Sequence, residues 1–432
     1  MKTKYTILIL SFCSFFHLGK AQWVTENSAF SIADMGVFSM SIVNNNVVWA
    51  SAFDSSGTNP ERRFTRTING GTTWTSGLIT GANNWDITSI TAVSQDTAWV
   101  SMADPANGGG RIYKTVNGGA NWTQQNSSAF SAPSGWADAI YFWNQNDGVC
   151  TADSNMGYWE FYYTSNGGTT WTIVAPTDIP ANLPGEYGVD NTYAVIGNTI
   201  WFATTAGRVF KSTDKGVTWT VSTTGLTAGI TSMSFKDANN GLVEDGGSLE
   251  VTTDGGITWN PITPSGTVYD GWMCYAPGSS GAYFTSEFGG GYGGTSYSLD
   301  NGLNWITVDT IEHGAIKFLN TSTGWCGGWN TSATVGGMYK WNGILGLNEI
   351  NLKDGALNIF PNPMTESAQV NFSSEIKDVT FTLYNNLGEI VREEKNISTS
   401  QYTIQRGSLV SGIYFFKIQY AGIISNGKII IE

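Results

Sequence analysis

The octapeptide Thr67-Ile68-Asn69-Gly70-Gly71-Thr72-Thr73-Trp74 is the first of six segments with the pattern Ser/Thr-x-Asp/Asn-x-Gly-x-x-Trp. Successive tryptophans of the pattern are 48, 49, 48, 40 and 46 positions apart. Six copies in one register indicate an internal repeat, which must be recognised before any other feature of the chain is interpreted. The remaining copies begin at Thr115, Thr164, Ser212, Thr252 and Ser298.

Each residue type in the octapeptide has a physical reason to be there. We expect the Asp or Asn side chain to accept hydrogen bonds from backbone N–H groups two or three residues on, closing a tight turn. The Gly allows a positive φ, and the Trp starts the next strand and packs between sheets. The predicted structural positions are Asn69, Trp74, Asn117, Trp122, Asn166, Trp171, Asp214, Trp219, Asp254, Trp259, Asp300 and Trp305.

The octapeptide resembles the Asp-box of the sialidase, sortilin and photosystem-assembly-factor propellers. That resemblance implies a β-propeller in which the boxes are peripheral and structural. A period near 48 residues also suits one four-stranded propeller blade.

A second recurring element predicts the number of blades. Seven short apolar runs recur along the chain, from Val47-Val48-Trp49 to Gly324-Trp325-Cys326. The seventh leads into residues 337–343, where a box is expected and its pattern is lost. Gln22-Trp23-Val24-Thr25 looks like a strand that follows a box, so we expect it to complete the last blade. The prediction is an all-β, seven-bladed propeller over residues 22–343, with its two ends joined in one sheet.

The first 21 residues have the pattern of an export signal. Lys2 and Lys4 precede an apolar run too short to span a membrane, and small residues flank Lys20 before Gln22. No later segment is long and apolar enough to predict a membrane helix. Three cysteines remain, and their apolar surroundings predict small buried residues rather than disulfides. They are Cys150, Cys274 and Cys326.

After a predicted linker at 344–355, residues 356–432 lose the box pattern. Short strand-like runs separated by turn residues predict a small immunoglobulin-like β-sandwich. This segment resembles the type A C-terminal sorting domain of the bacterial type IX secretion system. The resemblance implies a Bacteroidetes-type bacterium, the type IX machinery as a partner, and secretion or outer-membrane surface display via the periplasm. The matching residues are Phe360, Pro361, Asn362, Pro363, Gly412, Tyr414 and Lys428.

Composition excludes several functions. The chain of 432 residues has a formal net charge of −13, so nucleic acid and anionic membranes would repel it. Only one His, His313, follows the export signal, and we expect it at the surface, which argues against His-based nucleophilic catalysis. Metal-ligand clusters and phosphate-binding loops are also missing from the sequence, so no metal or cofactor is predicted.

Three arginines stand four residues before a box Ser/Thr and begin a strand on the face opposite the boxes. They predict either a three-arginine cluster for an anionic ligand or ordinary solvated side chains. The sialidase activity that the Asp-box suggests is not supported, because the Arg-Ile-Pro motif of that family is missing. The three residues are Arg63, Arg111 and Arg208.

Trp and Asp pairs near the start of three first strands are further candidates. The Trp rings either stack on sugars or cap the blade core. The main prediction is a non-catalytic binding propeller for a glycan or a surface protein, and the alternative is a glycoside hydrolase with paired Asp residues. An assembly factor is a third possibility, implied only by resemblance. The pairs are Trp85 with Asp86, Trp136 with Asp138, and Trp272 with Asp270.

Overall fold

The computed structural model describes residues 22–54, 60–125, 130, 135–155, 157–289, 293–343, 358–385, 389–420 and 423–432. The predicted export signal and the predicted linker lie outside these residues. The chain divides into two compact units, one up to Gly343 and one from Ile344. Within the described ranges, no helix has both the length and the apolarity that crossing a membrane requires.

The first unit consists of short antiparallel strands. In chain order they are β1 (Trp23–Asn27), β2 (Met35–Ile42), β3 (Val48–Asp54), β4 (Arg63–Thr67), β5 (Trp74–Leu78), β6 (Asp86–Ala92), β7 (Ala98–Ala103), β8 (Gly110–Thr115), β9 (Thr123–Gln124), β10 (Ala137–Phe142), β11 (Gly148–Ala152), β12 (Ser154–Asn155), β13 (Tyr158–Trp159), β14 (Tyr162–Thr164), β15 (Thr172–Ile173), β16 (Gly188–Ile196), β17 (Thr199–Thr204), β18 (Arg208–Ser212), β19 (Thr220–Thr223), β20 (Ser232–Phe235), β21 (Gly241–Glu244), β22 (Leu249–Thr252), β23 (Asn260–Ile262), β24 (Trp272–Tyr275), β25 (Tyr283–Glu287), β26 (Gly294–Ser298), β27 (Trp305–Asp309), β28 (His313–Asn320), β29 (Thr323–Ser332) and β30 (Val335–Trp341).

These strands form seven four-stranded sheets in the described part of the unit. Blades 1 and 2 are β2–β5 and β6–β9, and blade 3 is β10, β11, β14 and β15, with β12 and β13 as a separate hairpin. Blades 4, 5 and 6 are β16–β19, β20–β23 and β24–β27. Blade 7 has the order β1-β30-β29-β28. The first strands β2, β6, β10, β16, β20, β24 and β28 contact one another in that order, and β28 contacts β2. The unit is therefore a closed seven-bladed β-propeller, as predicted.

The ends of the propeller are joined in blade 7. Strand β1 pairs with β30 from Trp23 opposite Trp341 to Asn27 opposite Gly337. The Trp23 ring lies 5.0 Å from the Trp341 ring, and its Nε1 donates to Thr295 Oγ1 at 3.0 Å. The predicted closure by the segment that begins at Gln22 is confirmed. It leaves no open edge between the first and last strands of the ring.

The six octapeptides form the same hydrogen-bonded turn. The Ser/Thr hydroxyl donates to the Asp/Asn Oδ1 at 2.8–3.0 Å and accepts the Gly N–H at 2.8–3.1 Å. The same Oδ1 accepts a backbone N–H four residues on at 2.9 Å in all six copies. The predicted reach of two or three residues was therefore too short, because the turn spans one more residue. Bonds at three residues occur in addition at Val217 and Ile257.

Two consecutive positions of the turn have positive φ. The predicted Gly has φ between 83° and 91° in all six copies. The residue before it also has positive φ, from 60° to 77°, and is not always Gly, since Lys215 and Asn301 occupy it in two copies. This second position was not predicted, because the non-Gly residues found there in two copies hide the requirement for positive φ.

Blades 2 and 4 are each tied to the next blade by an aromatic contact of the second strand. Trp99 stacks on Phe142 of blade 3 with ring centroids 3.7 Å apart, and Trp201 stacks on Phe235 of blade 5 at 3.8 Å. The Trp99 Nε1 also donates to the carbonyl of Gly167, in the box of blade 3. We call this contact the inter-blade latch. A basic side chain lies over the second-strand Trp in four blades, at Arg66, Lys114, Lys211 and Lys340.

The second unit is a small β-sandwich-like sheet, as predicted. Its strands are β31 (Asn358–Phe360), β32 (Ser367–Tyr384), β33 (Ile390–Gln405), β34 (Gly412–Tyr420) and β35 (Ile423–Ile431), with the order β31-β32-β34-β35 and β33 on β32. Phe381, Ile418 and Ile429 are among the buried side chains of its core. Several register shifts interrupt the long pairing of β32 with β33.

Candidate functional site

The propeller has two chemically different faces. The third strand of each of the first six blades ends in its box, and the first strand runs parallel to the third within the antiparallel sheet. The first and third strands therefore both begin on the side opposite the boxes. We call the two sides the box face and the channel face. The predicted site residues lie near the strand starts that define the channel face.

Five aromatic rings meet on the channel face. The Phe288 ring lies 4.8 Å from both the Trp272 and Trp329 rings and 5.2 Å from the Phe53 ring. Phe38 completes the group at 6.2 Å from Phe53 and 6.1 Å from Trp272. All five side chains are half-exposed. We call this group, drawn from blades 1, 6 and 7, the aromatic platform.

A cavity of about 270 Å³ adjoins the platform. Its lining joins blades 1 to 4 and combines rings with carboxyl groups. Of the described residues that line it, none is Lys, Arg or His. We call it the acidic cavity. The aromatic residues that line it are Phe38, Phe53 and Trp136, and the carboxyl residues are Asp54, Glu61, Asp86 and Asp190.

Hydrogen bonds hold most of these carboxyl groups in place. Glu61 accepts the backbone N–H of Arg63 at 2.6 Å and forms an ion pair with its Nη1 at 2.5 Å. Asp86 accepts the backbone N–H of Glu61, and Asp190 accepts the Trp136 Nε1–H at 2.9 Å. The cavity wall is therefore built from contacts between blades 1 and 2 and between blades 3 and 4.

Burial raises the pKa of this group of acids. Loss of solvation raises the pKa of Glu61 and of Asp86, and it raises that of Asp190 to about 7, with the charges of Asp153 and Asp86 adding to the effect. Burial also raises the pKa of Asp153 to about 7. Negative charge on this face is therefore costly in the free protein.

Asp138 is not among the residues that line the cavity. Its side chain is 1% exposed and its Oδ2 has no hydrogen-bond partner among the described residues. Burial raises its pKa well above the ordinary value, and the nearby charges of Asp153 and Asp190 raise it further. Asp138 lies at a register shift in β10, between Ala137 and Ala139. Its place near the start of a first strand is as predicted, and its carboxyl group is buried there.

The other two predicted carboxyl groups lie apart. Asp86 lines the acidic cavity, whereas Asp270 lines a second cavity of about 430 Å³ that also contains Trp272 and Lys317. Burial and the adjacent Asp270 raise the pKa of Glu287 to about 8. The three predicted Asp residues thus do not share one cavity.

Asn191 lines the second cavity and links three blades. It has φ +57° in a bulged part of β16. Its Oδ1 accepts the Ser39 hydroxyl at 2.8 Å and the Ser89 hydroxyl at 3.2 Å, so blade 4 contacts blades 1 and 2 across the axis. This contact was not predicted, because a lone Asn in a strand carries no signal of a bond between distant blades.

Each of the three predicted arginines contacts a different side chain of the propeller. Arg208 is buried and pairs with Glu186 through two bonds, from Nε to Oε1 at 2.9 Å and from Nη2 to Oε2 at 2.7 Å. The interpretation of Arg208 as solvated is therefore wrong. Arg63 pairs with Glu61, and the Arg111 guanidinium lies 4.1 Å above the Trp85 ring. A role for any of them in ligand binding stays a prediction.

The predicted tryptophans have three different environments. Trp85 is covered by Arg111, Trp136 lines the acidic cavity, and Trp272 belongs to the aromatic platform, where its Nε1 donates to the Phe38 carbonyl at 3.0 Å. Phe38, Phe53, Phe288 and Trp329 were not predicted as site residues. Their positions carry no distinguishing signal, since aromatic residues within or next to strands are also common in blade cores.

His313 is not at the surface. It is 0% exposed, its Nε2 lies 3.0 Å from Asp309 Oδ1, and its ring packs against Trp23 and Tyr339. The prediction of a surface His is wrong, because strand β1 covers the residue when it closes the ring. The three cysteines are buried and free, as predicted. Among the described residues, no group of three or more His, Cys, Asp or Glu side chains is arranged to hold a metal ion.

The predicted sorting residues contact the last strand of the second unit. Asn362 Nδ2 donates to the Lys428 carbonyl at 3.0 Å, and its Oδ1 accepts the Ile430 N–H at 2.9 Å. Tyr414 is buried and its hydroxyl donates to the Val410 carbonyl at 3.0 Å. Phe360 is 76% exposed, so its side chain is open to a partner.

Comparison with known proteins identifies the second unit. Residues 358–432 match the family described as a secretion system C-terminal sorting domain. The match indicates export by the type IX secretion system, with secretion or surface attachment in a Bacteroidetes-type bacterium. No curated protein matches the sequence.

Solved structures resemble the propeller. YCF48 from Cyanidioschyzon merolae superposes with a TM-score of 0.54 and 16% identity, over 74% of this chain and 99% of that one. A structure of YCF48 bound to D1 peptide gives a TM-score of 0.53 and 15% identity, over 76% of this chain and 96% of that one. At this identity the likeness establishes the fold alone.

Proposed function

We propose that this chain is an exported, non-catalytic binding propeller whose ligand, a glycan or a protein segment, contacts the aromatic platform. The observation that carries the proposal is the group of five half-exposed rings in mutual contact. Aromatic residues dominate the energetics of binding surfaces, since they bury a large area at low conformational cost. YCF48, which has the same fold, is known with a bound D1 peptide, and this supports a polypeptide as one of the two ligand classes.

The hydrolase alternative receives no support from the geometry. Asp138 is too deeply buried to touch a substrate, and Asp86 and Asp270 line different cavities. A glycosidase pair must flank one scissile bond at about 5–10 Å separation. We therefore propose binding without chemistry as the role of the propeller.

The test is binding of purified residues 22–432 to a glycan array and to a peptide array. We expect Phe53→Ala and Trp329→Ala to weaken the hits about tenfold or more, the effect of truncating an aromatic anchor. Trp143→Ala is the matched control, since Trp143 is also half-exposed but lies at the end of a first strand on the box face. Equal binding by all four proteins would exclude the platform as the binding surface.

Export is tested separately in the native cell. We propose that residues 1–21 direct the chain to the periplasm and that residues 358–432 direct it across the outer membrane. A chain without residues 358–432 should accumulate in the periplasm, detected by cell fractionation. Normal appearance of the truncated chain in the medium would contradict the sorting role.

A further inference from the structure

We propose that the acidic cavity receives a basic side chain, Arg or Lys, of a polypeptide whose apolar residues lie on the adjoining aromatic platform. This inference rests on the proposed function and names the ligand class. The platform and the cavity are continuous, since Phe38 and Phe53 belong to both. A single ligand is therefore able to contact the two at once.

The size of the cavity favours one side chain. Its volume is about 270 Å³, whereas pockets for drug-sized molecules range from about 300 to 1,000 Å³. A guanidinium or ammonium group on its alkyl chain fits this space. The exposed platform beside it offers area for the neighbouring residues of the same segment.

The lining has the chemistry of a cation site. The half-exposed rings of Phe38, Phe53 and Trp136 present surfaces to which a cation is attracted by the ring quadrupole. The carboxyl groups of Asp86 and Asp190 line the same space. A planar guanidinium suits such a site especially well, because it stacks on rings and binds carboxylates through paired bonds.

The carboxyl groups of Asp86 and Asp190 are held by N–H groups. Asp86 accepts the backbone N–H of Glu61 and Asp190 accepts the Trp136 Nε1–H, and neither forms an ion pair within the described part of the chain. Buried acids are normally paired with a cation. Arg208, which is in the same blade as Asp190, is already held by Glu186. A cation brought by a ligand would therefore favour the charged form of both carboxyl groups.

The requirement for a positively charged side chain is tested with two small probes, arginine amide and citrulline amide. Their side chains have nearly the same shape and differ in charge. The signal is the indole N–H resonance of Trp136, observed in protein labelled with ¹⁵N on tryptophan. We expect arginine amide to shift this resonance saturably and citrulline amide to leave it in place. Equal shifts from both probes, or none from either, would overturn the inference.

Two variants localise the site. Asp190→Asn retains an oxygen that accepts the Trp136 N–H, and Asp86→Asn retains the acceptor for the Glu61 N–H, so both should fold. Each should weaken arginine amide about tenfold, the effect of losing one charge-assisted contact. Asp96→Asn, an exposed carboxyl on the box face, is the control for net charge and should bind as the wild type does. Unchanged binding in both cavity variants would also overturn the inference.

Failure of this inference can be distinguished from failure of the proposed function. If Phe53→Ala and Trp329→Ala abolish array binding while arginine amide has no effect on Trp136, the platform binds a ligand and the cavity does not select a cation. If arginine amide binds but the array hits are insensitive to platform variants, the proposed function fails instead.

Discussion

Aspartates of the two propeller faces have opposite electrostatic environments. On the box face, hydrogen bonds from the Thr258 hydroxyl and N–H lower the pKa of Asp254 to about 2. On the channel face, burial raises the pKa of Asp153 and of Asp190 to about 7. The box carboxyl groups accept N–H bonds that favour the charged form, whereas the channel carboxyl groups have other acids as neighbours.

The two faces therefore use Asp residues in different ways, for the stability of the fold on one face and, in the proposed function, for ligand binding on the other. The box turn satisfies its Asp or Asn side chain locally, within four residues, and repeats that solution six times. The channel face leaves carboxyl groups and aromatic rings poorly compensated at positions that do not repeat. We infer that the repeated face stabilises the fold and that the unrepeated face is where a ligand would act.

The largest expected effect is a loss of stability with rising pH, caused by the channel-face acids. Because their folded-state pKa lies above the ordinary 3.8, their contribution is fully present below about pH 4 and is lost as pH rises through 7. Denaturant unfolding at pH 5 and pH 8 should therefore show lower stability at pH 8.

Asp138→Asn is the control for that experiment. It keeps the shape of the side chain but removes the buried acid whose ionisation is opposed by burial, Asp153 and Asp190. The difference between pH 5 and pH 8 should shrink in this variant. A wild-type protein that is equally stable or more stable at pH 8 would contradict the assignment of the raised pKa values.

Breaking an inter-blade latch should have the next largest effect. Trp201 is fully buried, stacks on Phe235 and donates to the Gly255 carbonyl at 2.9 Å. We expect Trp201→Ala to lower the free energy of unfolding by about 3–5 kcal/mol, since it leaves a large cavity. Phe53→Ala on the half-exposed platform should cost clearly less in the same denaturation assay. A similar cost for both would mean that the channel face is structural too.

Removing one box hydroxyl should have a smaller effect. In Ser212→Ala, the N–H of Gly216 loses its acceptor and Asp214 loses a donor. The expected cost is about 1–3 kcal/mol, the penalty of an unsatisfied buried group. Ser212→Thr is the matched control, because four of the six boxes have Thr at this position. If the Ala and Thr variants unfold at the same denaturant concentration, the hydroxyl does not stabilise the turn.

The smallest expected effect concerns the second positive-φ position of the box. Asn301 has φ +60°, which Gly adopts freely, so Asn301→Gly should change stability by no more than about 0.5 kcal/mol. Gly302→Ala should cost more, because φ is +87° and the new Cβ would lie 2.8 Å from Leu242 Cδ1. Thermal unfolding of the two variants ranks them, and the reverse order would contradict the role assigned to the two positions.

The sequence alone determined the all-β fold class, the number of blades, the closure of the ring and the positions of the structural octapeptides. Each of these depends on contacts within a few residues or on a period that repeats along the chain. Asn69 and Thr73 interact through four residues of local backbone, so the pattern that encodes the turn can be read directly.

Only the tertiary structure decided which unrepeated side chains share a surface. The platform joins Phe38 to Trp272 and Trp329 from distant blades, and the burial of His313 depends on strand β1 from the other end of the propeller. The burial of Asp138, 1% exposed near the start of a first strand, was likewise decided by packing between blades. Local sequence specifies turns and strands, whereas the meeting of side chains from different blades depends on how the closed ring orients every sheet.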